Sequence, residues 1–89
     1  MLEIKQNDDA FFIGEDYTSR IATLVFKIED QVMSLTETEV DESLRGQGVA
    51  GKLVDHAVDY ARKNGFKIKP VCSYTVTRLS KAEYKDIVI

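Results

Sequence analysis

Residues 44–53 read Leu-Arg-Gly-Gln-Gly-Val-Ala-Gly-Lys-Leu, and a run with the apolar spacing of a helix follows them directly. Glycine loses more backbone entropy on ordering than other residues, so a cluster of glycines indicates either a sharp turn or a backbone that approaches a ligand closely. A glycine-rich turn that opens a helix presents unpaired N–H groups at the positive end of the helix dipole. Arg45 and Lys52 add positive charge on either side, in a chain whose net charge is −3. The stretch therefore predicts an anion site that suits phosphate, with a purely structural turn as the alternative.

Two nucleotide-binding motifs fit these glycines only in part. The spacing of Gly46, Gly48 and Gly51 matches the dinucleotide fingerprint G-x-G-x-x-G. That fold needs a buried strand before the glycines and a carboxylate about 20 residues further on. Residues 34–40 are half polar, and the later carboxylate is missing. A P-loop needs Ser or Thr where this chain has Leu53, and the remaining chain is too short for the sheet of either fold.

Length and composition limit the chain to one domain and exclude several classes of function. With 89 residues the chain has room for one domain, predicted to span residues 1–89. The negative net charge argues against a general surface for nucleic acid or for an anionic membrane. Cys72 is the one cysteine, and residues 1–9 hold no apolar signal segment, which together predict a reducing, cytoplasmic location. No apolar run approaches the roughly 20 residues of a transmembrane helix, and no metal site is expected.

The apolar pattern predicts an α+β domain in which an antiparallel meander is followed by a crossover helix and one parallel strand. Alternating apolar residues and turn clusters mark the strands. The predicted strands cover residues 2–6, 10–14, 20–28, 32–40 and 66–72. The last strand is expected to lie parallel to residues 32–40, because the intervening segment has the length that such a crossover needs.

The helical part of the prediction has one long helix and two short ones. Apolar residues at helical spacing predict a helix over residues 47–63, which a left-handed cap at Gly65 ends. A short helix over residues 73–79 is expected to turn Val76 and Leu79 inward. The sequence Ser-Lys-Ala-Glu at residues 80–83 has the form of a capping box for one further turn, and the apolar tail after it is expected to dock on the core.

The same stretch resembles the pyrophosphate loop of the GNAT superfamily of N-acetyltransferases. That loop reads [Arg/Gln]-x-x-Gly-x-[Gly/Ala], and residues 45–50 of this chain read Arg-Gly-Gln-Gly-Val-Ala. The short length and the sequence Pro-Val-Cys-Ser-Tyr at residues 70–74 look like the small stand-alone subclass of that superfamily. The resemblance implies a minimal GNAT-like fold, the cofactor acetyl-CoA, and transfer of its acetyl group to an amine on a small molecule or a protein. It also assigns cofactor binding to Val40, Arg45, Gly46, Gln47, Gly48, Val49, Ala50, Gly51 and Lys52.

Four residues become catalytic candidates through this resemblance. Cys72 accepts the acetyl group in a two-step route, or it only shapes the pocket while Tyr74 donates a proton to the leaving thiolate. Many members of the short subclass have a histidine in the strand before the loop, where this chain has Glu37. Glu37 and Glu39 are therefore the candidate bases, and the other possibility is that both are surface charges. A small buried thiol is the corresponding alternative for Cys72.

The chain also departs from the usual GNAT pattern in a way that bears on function. It lacks the helices between the first two strands and the two final strands, which are the parts that usually bind the acceptor. The second hypothesis is therefore a CoA-binding or protein-interaction module with little turnover.

Overall fold

The computed structural model describes residues 3–89, and over that range five strands form one mixed sheet in the order β1-β2-β3-β4-β5. The strands are β1 Lys5–Gln6, β2 Ala10–Ile13, β3 Ala22–Glu29, β4 Val32–Val40 and β5 Lys67–Pro70. The helices are α1 Val49–Asn64 and α2 Ser73–Arg78, with 3₁₀ turns at Glu42–Leu44 and Ala82–Tyr84. This confirms the predicted α+β class. Of the strand predicted over residues 2–6, Leu2 lies outside the described residues.

The antiparallel meander follows the predicted alternation of side chains. Phe11 pairs with Leu24 across β2 and β3, and both side chains are fully buried under α1. Asp30 and Gln31 connect β3 to β4 with φ angles of 50° and 66°. Positive φ at both central residues is the signature of a two-residue type I′ hairpin, whose twist matches that of the flanking strands. The short connection that the predicted strands over residues 20–28 and 32–40 require is therefore confirmed.

Helix α1 crosses from β4 to β5 and covers one face of the sheet. Its buried side chains repeat at helical spacing and include Leu53, Val54, Ala57, Val58 and Ala61. The helix ends as predicted, because Gly65 adopts φ 74° and its N–H donates to the carbonyl of Ala61. It begins later than predicted, at Val49, because the left-handed φ of 72° at Gly48 is incompatible with a helical turn.

The C-terminal segment departs from the prediction at several side chains. The strand after α1 is parallel to β4, as predicted, but covers only Lys67–Pro70. The buried residues are Thr75, within α2, and Leu79, directly after it, whereas Val76 is 48% exposed. The prediction that Val76 points inward was wrong, because α2 lies across the sheet edge with the face of Thr75 toward β4 and β5.

The predicted capping box at residues 80–83 does not form. Lys81, and not Ser80, precedes the 3₁₀ turn, and the hydroxyl of Ser80 donates to the carbonyl of Thr77 at 2.8 Å. The apolar tail does dock, since Ile87 is buried and Val88 forms a parallel bridge to Ile68 on the outer side of β5.

Candidate functional site

Strands β4 and β5 separate halfway along β4. Their parallel register runs from Val32–Lys67 to Leu35–Pro70, yet β4 continues to Val40. The N–H groups of the next two residues, 71 and 72, both donate to the carbonyl of Leu35, at 3.0 and 3.2 Å. The N–H of Ile68 points away from β4, to the carbonyl of Ile87, so the missing N–H of Pro70 lies on that outer side. The ladder to β4 ends because the chain enters α2 directly after Cys72. A gap therefore opens beside residues 36–40 of β4.

The register of β3 with β4 decides which backbone groups of β4 face this gap. The N–H of Asp41 donates to the carbonyl of Ile21 in the direction of β3, at 2.7 Å. Peptide groups in a strand point alternately to its two neighbours. The N–H of Glu39 therefore points to β3, and the N–H groups of Thr38 and Val40 point into the gap.

Cys72 stands at the opposite side of the gap with hydrogen-bonding hydroxyls around its sulfur. Its Sγ lies 3.3 Å from Oγ1 of Thr38 and 3.2 Å from Oγ1 of Thr75. Partial burial raises the pKa of the Cys72 thiol, but the hydrogen bonds from Thr38, Thr75 and the backbone of Tyr74 outweigh burial and leave that pKa lowered. A lowered pKa increases the fraction of nucleophilic thiolate at neutral pH.

The glycine-rich loop forms an open helix N-terminus. Gly46 and Gly48 have φ angles of 84° and 72°, and an added Cβ at either position would meet no atom within 4 Å. Backbone conformation, and not crowding within the protein, therefore requires glycine at both positions. The first intrahelical bond runs from the N–H of Lys52 to the carbonyl of Gly48 at 3.1 Å. No side chain caps this end and no acidic residue occupies its first turn, so the N–H groups of residues 49–51 have no acceptor within the described residues.

A cavity of about 220 Å³ joins the loop, the end of β4 and the start of α2. Its walls include Val40, Arg45, Gly48, Gly51 and Tyr74. The fold thus brings most of the predicted cofactor residues together with one catalytic candidate. The Gln47 side chain turns back instead and donates to the carbonyl of Ser43 at 3.3 Å. Lys52 is exposed and does not line this cavity.

The two candidate glutamates lie apart from Cys72. Glu37 and Glu39 pair with Val25 and Thr23 of β3 and alternate with Thr38 and Val40, so they project from the sheet face opposite α1. Both are exposed. Glu39 lines a larger groove of about 670 Å³ at the end of the sheet, whose walls are Thr18, Arg20, Ile21, Ala22, Thr23, Thr38, Glu39, Val40, Asp41, Glu42 and Arg45.

Part of this groove could not be found from the sequence pattern. Thr18 and Arg20 reach it from the β2–β3 loop, where the Arg20 guanidinium lies 4.0 Å from the centre of the Tyr17 ring and donates to the carbonyl of Tyr17. Loop residues carry no periodic pattern, so the only available signal was the polar composition of residues 15–19.

In the described part of the chain no cluster of His, Cys, Asp and Glu could hold a metal ion. No helix among residues 3–89 has the length and apolar character to cross a membrane.

Comparison with known proteins identifies the family. Residues 10–87 match the family model of GCN5-related N-acetyl-transferases. No curated protein matches the sequence. Among solved structures, the NMR structure of a GCN5-like candidate N-acetyltransferase from Staphylococcus aureus is 34% identical with a TM-score of 0.82, over 99% of this chain and 88% of that one.

Two larger enzymes share the fold at lower identity. The ribosomal-protein-S18-alanine N-acetyltransferase of Escherichia coli is 20% identical (TM-score 0.58), over 71% of this chain and 42% of that one. The IAA acetyltransferase of Bacillus cereus is 24% identical (TM-score 0.57), over 80% of this chain and 49% of that one. This chain therefore spans less than half of either enzyme, and the shared part confirms the predicted GNAT-like fold. With a family model matched over nearly its whole length, the chain belongs to the GCN5-related N-acetyltransferase family.

Proposed function

We propose that this protein, acting as a single domain over residues 1–89, transfers the acetyl group of acetyl-CoA to an amine. The observation that carries the proposal is the cavity in which Val40, the glycine-rich loop and Tyr74 meet. One end of this cavity offers unpaired N–H groups for an anion, and the other end adjoins the gap between β4 and β5. Acetyl-CoA is a long cofactor that requires both features, since its diphosphate needs hydrogen-bond donors and the arm that ends in the thioester needs the gap between the strands.

The site offers backbone N–H groups that have no acceptor among the described residues, and these groups suit such a cofactor. The N–H groups at the start of α1 would bind the diphosphate, with Arg45 and Lys52 contributing positive charge. Gly46, Gln47, Gly48, Val49, Ala50 and Gly51 complete that loop. The N–H groups of Thr38 and Val40, which face the gap, would bind the polar groups of the pantetheine arm or the thioester oxygen. A donor aimed at that oxygen stabilises the negative charge that develops on it during transfer.

The reaction moves the acetyl group from sulfur to nitrogen and leaves CoA as the free thiol. The amine must lose a proton and the leaving thiolate must gain one. Cys72 suits an acetyl-accepting role because its pKa is lowered and its sulfur lies at the gap. Tyr74, which lines the cavity, suits the alternative role of proton donor to the thiolate. Among the carboxylates, Glu39 is favoured over Glu37 as the base because it also lines the larger groove.

Binding of CoA without appreciable turnover is the second candidate. It is favoured by the exposure of Glu37 and Glu39 and by the extent of the structural match, which covers less than half of either larger acetyltransferase. For either candidate we infer a cytoplasmic location, because a lone cysteine suits a reducing compartment. We also infer that the partner is neither nucleic acid nor a membrane, because the net charge of the chain is negative.

A thermal shift assay with three ligands tests the proposed cofactor. Acetyl-CoA at a concentration of 100 times its Kd adds about 2.7 kcal/mol to the free energy of unfolding, which raises the melting temperature of a domain this small by several degrees. ATP and NAD at the same concentration are expected to give no such shift. Equal shifts with all three ligands would contradict the assignment.

Intact-mass measurement after incubation with acetyl-CoA separates the enzyme from the binding module. We expect a gain of one acetyl group on the wild type and none on Cys72→Ala if the thiol carries the group. Release of CoA with an amine, without any gain in protein mass, supports the route through Tyr74. Neither mass gain nor CoA release across a panel of amines supports the binding module.

A further inference from the structure

An arginine at the end of α2 contacts the first two turns of α1. The guanidinium of Arg78 lies over Gly51, where an added Cβ would stand 3.0 Å from its Cζ. One turn further along α1, Asp55 accepts a hydrogen bond from Nη2 of Arg78 at 3.0 Å. Residues four apart lie on the same face of a helix. Arg78 therefore spans the face of α1 that Gly51 and Asp55 share.

Asp55 is itself fixed from the other side. Its second carboxylate oxygen accepts a hydrogen bond from the hydroxyl of Tyr84 at 3.0 Å, and Tyr84 is buried. Burial lowers the pKa of Arg78, but the hydrogen bond to Asp55 outweighs burial and keeps that pKa above its ordinary value. The guanidinium thus remains charged and has little freedom to move.

The same geometry connects Arg78 to the candidate site. Tyr74 lies four residues before Arg78 on α2, so the two side chains share the face of α2 that meets α1. Tyr74 and Gly51 line the same 220 Å³ cavity. The contact between Arg78 and Gly51 therefore limits how closely Tyr74 can approach the glycine-rich loop.

We propose that Arg78 is a positioning residue: held by Asp55 against Gly51, it sets how closely Tyr74 approaches the loop to which the proposed function assigns the diphosphate. The inference rests on that proposed function. It explains why glycine stands at position 51, where the backbone is helical and glycine is otherwise unfavourable. Displacement of a reactive group by about 1 Å can reduce a rate by about a hundredfold, so the spacing matters for catalysis.

The proposal is tested by titrating the Arg78→Ala variant with acetyl-CoA and recording the chemical shifts of its backbone amides by NMR. The matched control is Arg62→Ala, since Arg62 also ties α1 to the C-terminal segment, through Asp86 at 2.8 Å, but at the far end of the helix. In the wild type and the control we expect ligand-induced shifts at residues 46–51 and at Tyr74. In Arg78→Ala the shifts at residues 46–51 persist, and the shift at Tyr74 falls at least threefold.

The outcomes separate the two hypotheses. If acetyl-CoA shifts no signal of residues 46–51 in the wild type, the proposed function is wrong. If it shifts them but the Tyr74 signal responds equally in Arg78→Ala and Arg62→Ala, the positioning role of Arg78 is wrong.

A double-mutant cycle with Gly51→Ala gives a second measurement that does not depend on the ligand. In the Arg78→Ala background the three atoms nearest to the added methyl group are gone, and the better helix propensity of alanine is expected to raise the melting temperature. In the wild-type background the methyl group stands 3.0–3.1 Å from three guanidinium atoms, which must move by a few tenths of an ångström and strain the hydrogen bond to Asp55, so the gain is smaller or reversed. Equal effects of Gly51→Ala in both backgrounds would mean that Arg78 and Gly51 are independent, and would overturn the proposal.

Discussion

The two ends of α1 are built from the same kind of residue and are used differently. Gly48 and Gly65 flank the helix with nearly equal φ angles, 72° and 74°, and neither has an atom near the position of a Cβ. At the C-terminal end the N–H of Gly65 donates to the carbonyl of Ala61, and Arg62 binds Asp86. At the N-terminal end no side chain among residues 3–89 satisfies the first N–H groups.

This difference shows that a left-handed glycine can have two purposes in one helix. At Gly65 it lets the chain satisfy its own carbonyl groups and turn into β5. At Gly48 it exposes N–H groups that only an external acceptor can satisfy. The open end, and not the closed one, shares a cavity with Val40 at the end of β4 and with Tyr74. The chain thus leaves polar groups unsatisfied where the proposed function needs them.

Substitution of the two glycines is expected to give the largest contrast. Gly48→Ala and Gly65→Ala each place a Cβ on left-handed backbone, which costs about 1–2 kcal/mol of unfolding free energy in either variant. Only Gly48→Ala is expected to weaken acetyl-CoA binding, by about tenfold or more, because it alone distorts the open end. Chemical denaturation and calorimetric titration measure the two effects. Equal binding by both variants would remove the distinction between the two ends.

Neutralising a charge at each end is expected to give an intermediate effect. Arg45→Gln should weaken acetyl-CoA binding about threefold to tenfold and reduce its dependence on salt, because a charge-assisted hydrogen bond to phosphate at an exposed site contributes about 1 kcal/mol. Lys63→Gln removes the same charge from the closed end and should leave binding unchanged. Titrations at two ionic strengths measure both, and a similar loss in Lys63→Gln would indicate a general effect of net charge.

The smallest expected effect concerns the thiol of Cys72, whose sulfur contacts Thr38 of β4. Thr38→Val removes a hydrogen bond that helps to lower the pKa of Cys72, so that pKa should rise and the thiolate fraction at neutral pH should fall. The midpoint of the pH profile for alkylation by iodoacetamide should then move to higher pH. Thr36→Val is the control, since the hydroxyl of Thr36 donates to the carbonyl of Val25 and not to Cys72. An unchanged profile in Thr38→Val would show that Thr38 has no influence on the thiol.

Much of the fold could be predicted because its signals are local. Alternation marked β3, a turn cluster and a glycine marked the ends of β2, helical spacing marked α1, and Gly65 marked its end. Each of these signals depends on backbone preferences within a few residues. The side chains of Val76 and Ser80 were predicted wrongly for the converse reason. Their environment depends on how α2 packs against the sheet, which no pattern within α2 records.

The candidate site divides in the same way. The glycine-rich loop was evident from spacing, and membership of the N-acetyltransferase family agrees with it. The separation of Glu37 and Glu39 from Cys72 follows from strand pleating together with the packing of α1 on one face. The contact of Arg78 with Gly51 joins residues that are far apart in sequence and had no shared signal.

The sequence by itself determined the order of the strands and helices, the position of the glycine-rich turn and the presence of one cysteine after the last strand, because all three are properties of short stretches of chain. Only the tertiary structure decided that Thr38 and Val40, and not Glu39, turn their N–H groups to the gap, and that Arg78 rests on Gly51. Those facts depend on pairing register and on helix packing, which bring distant residues together through the burial of a shared core.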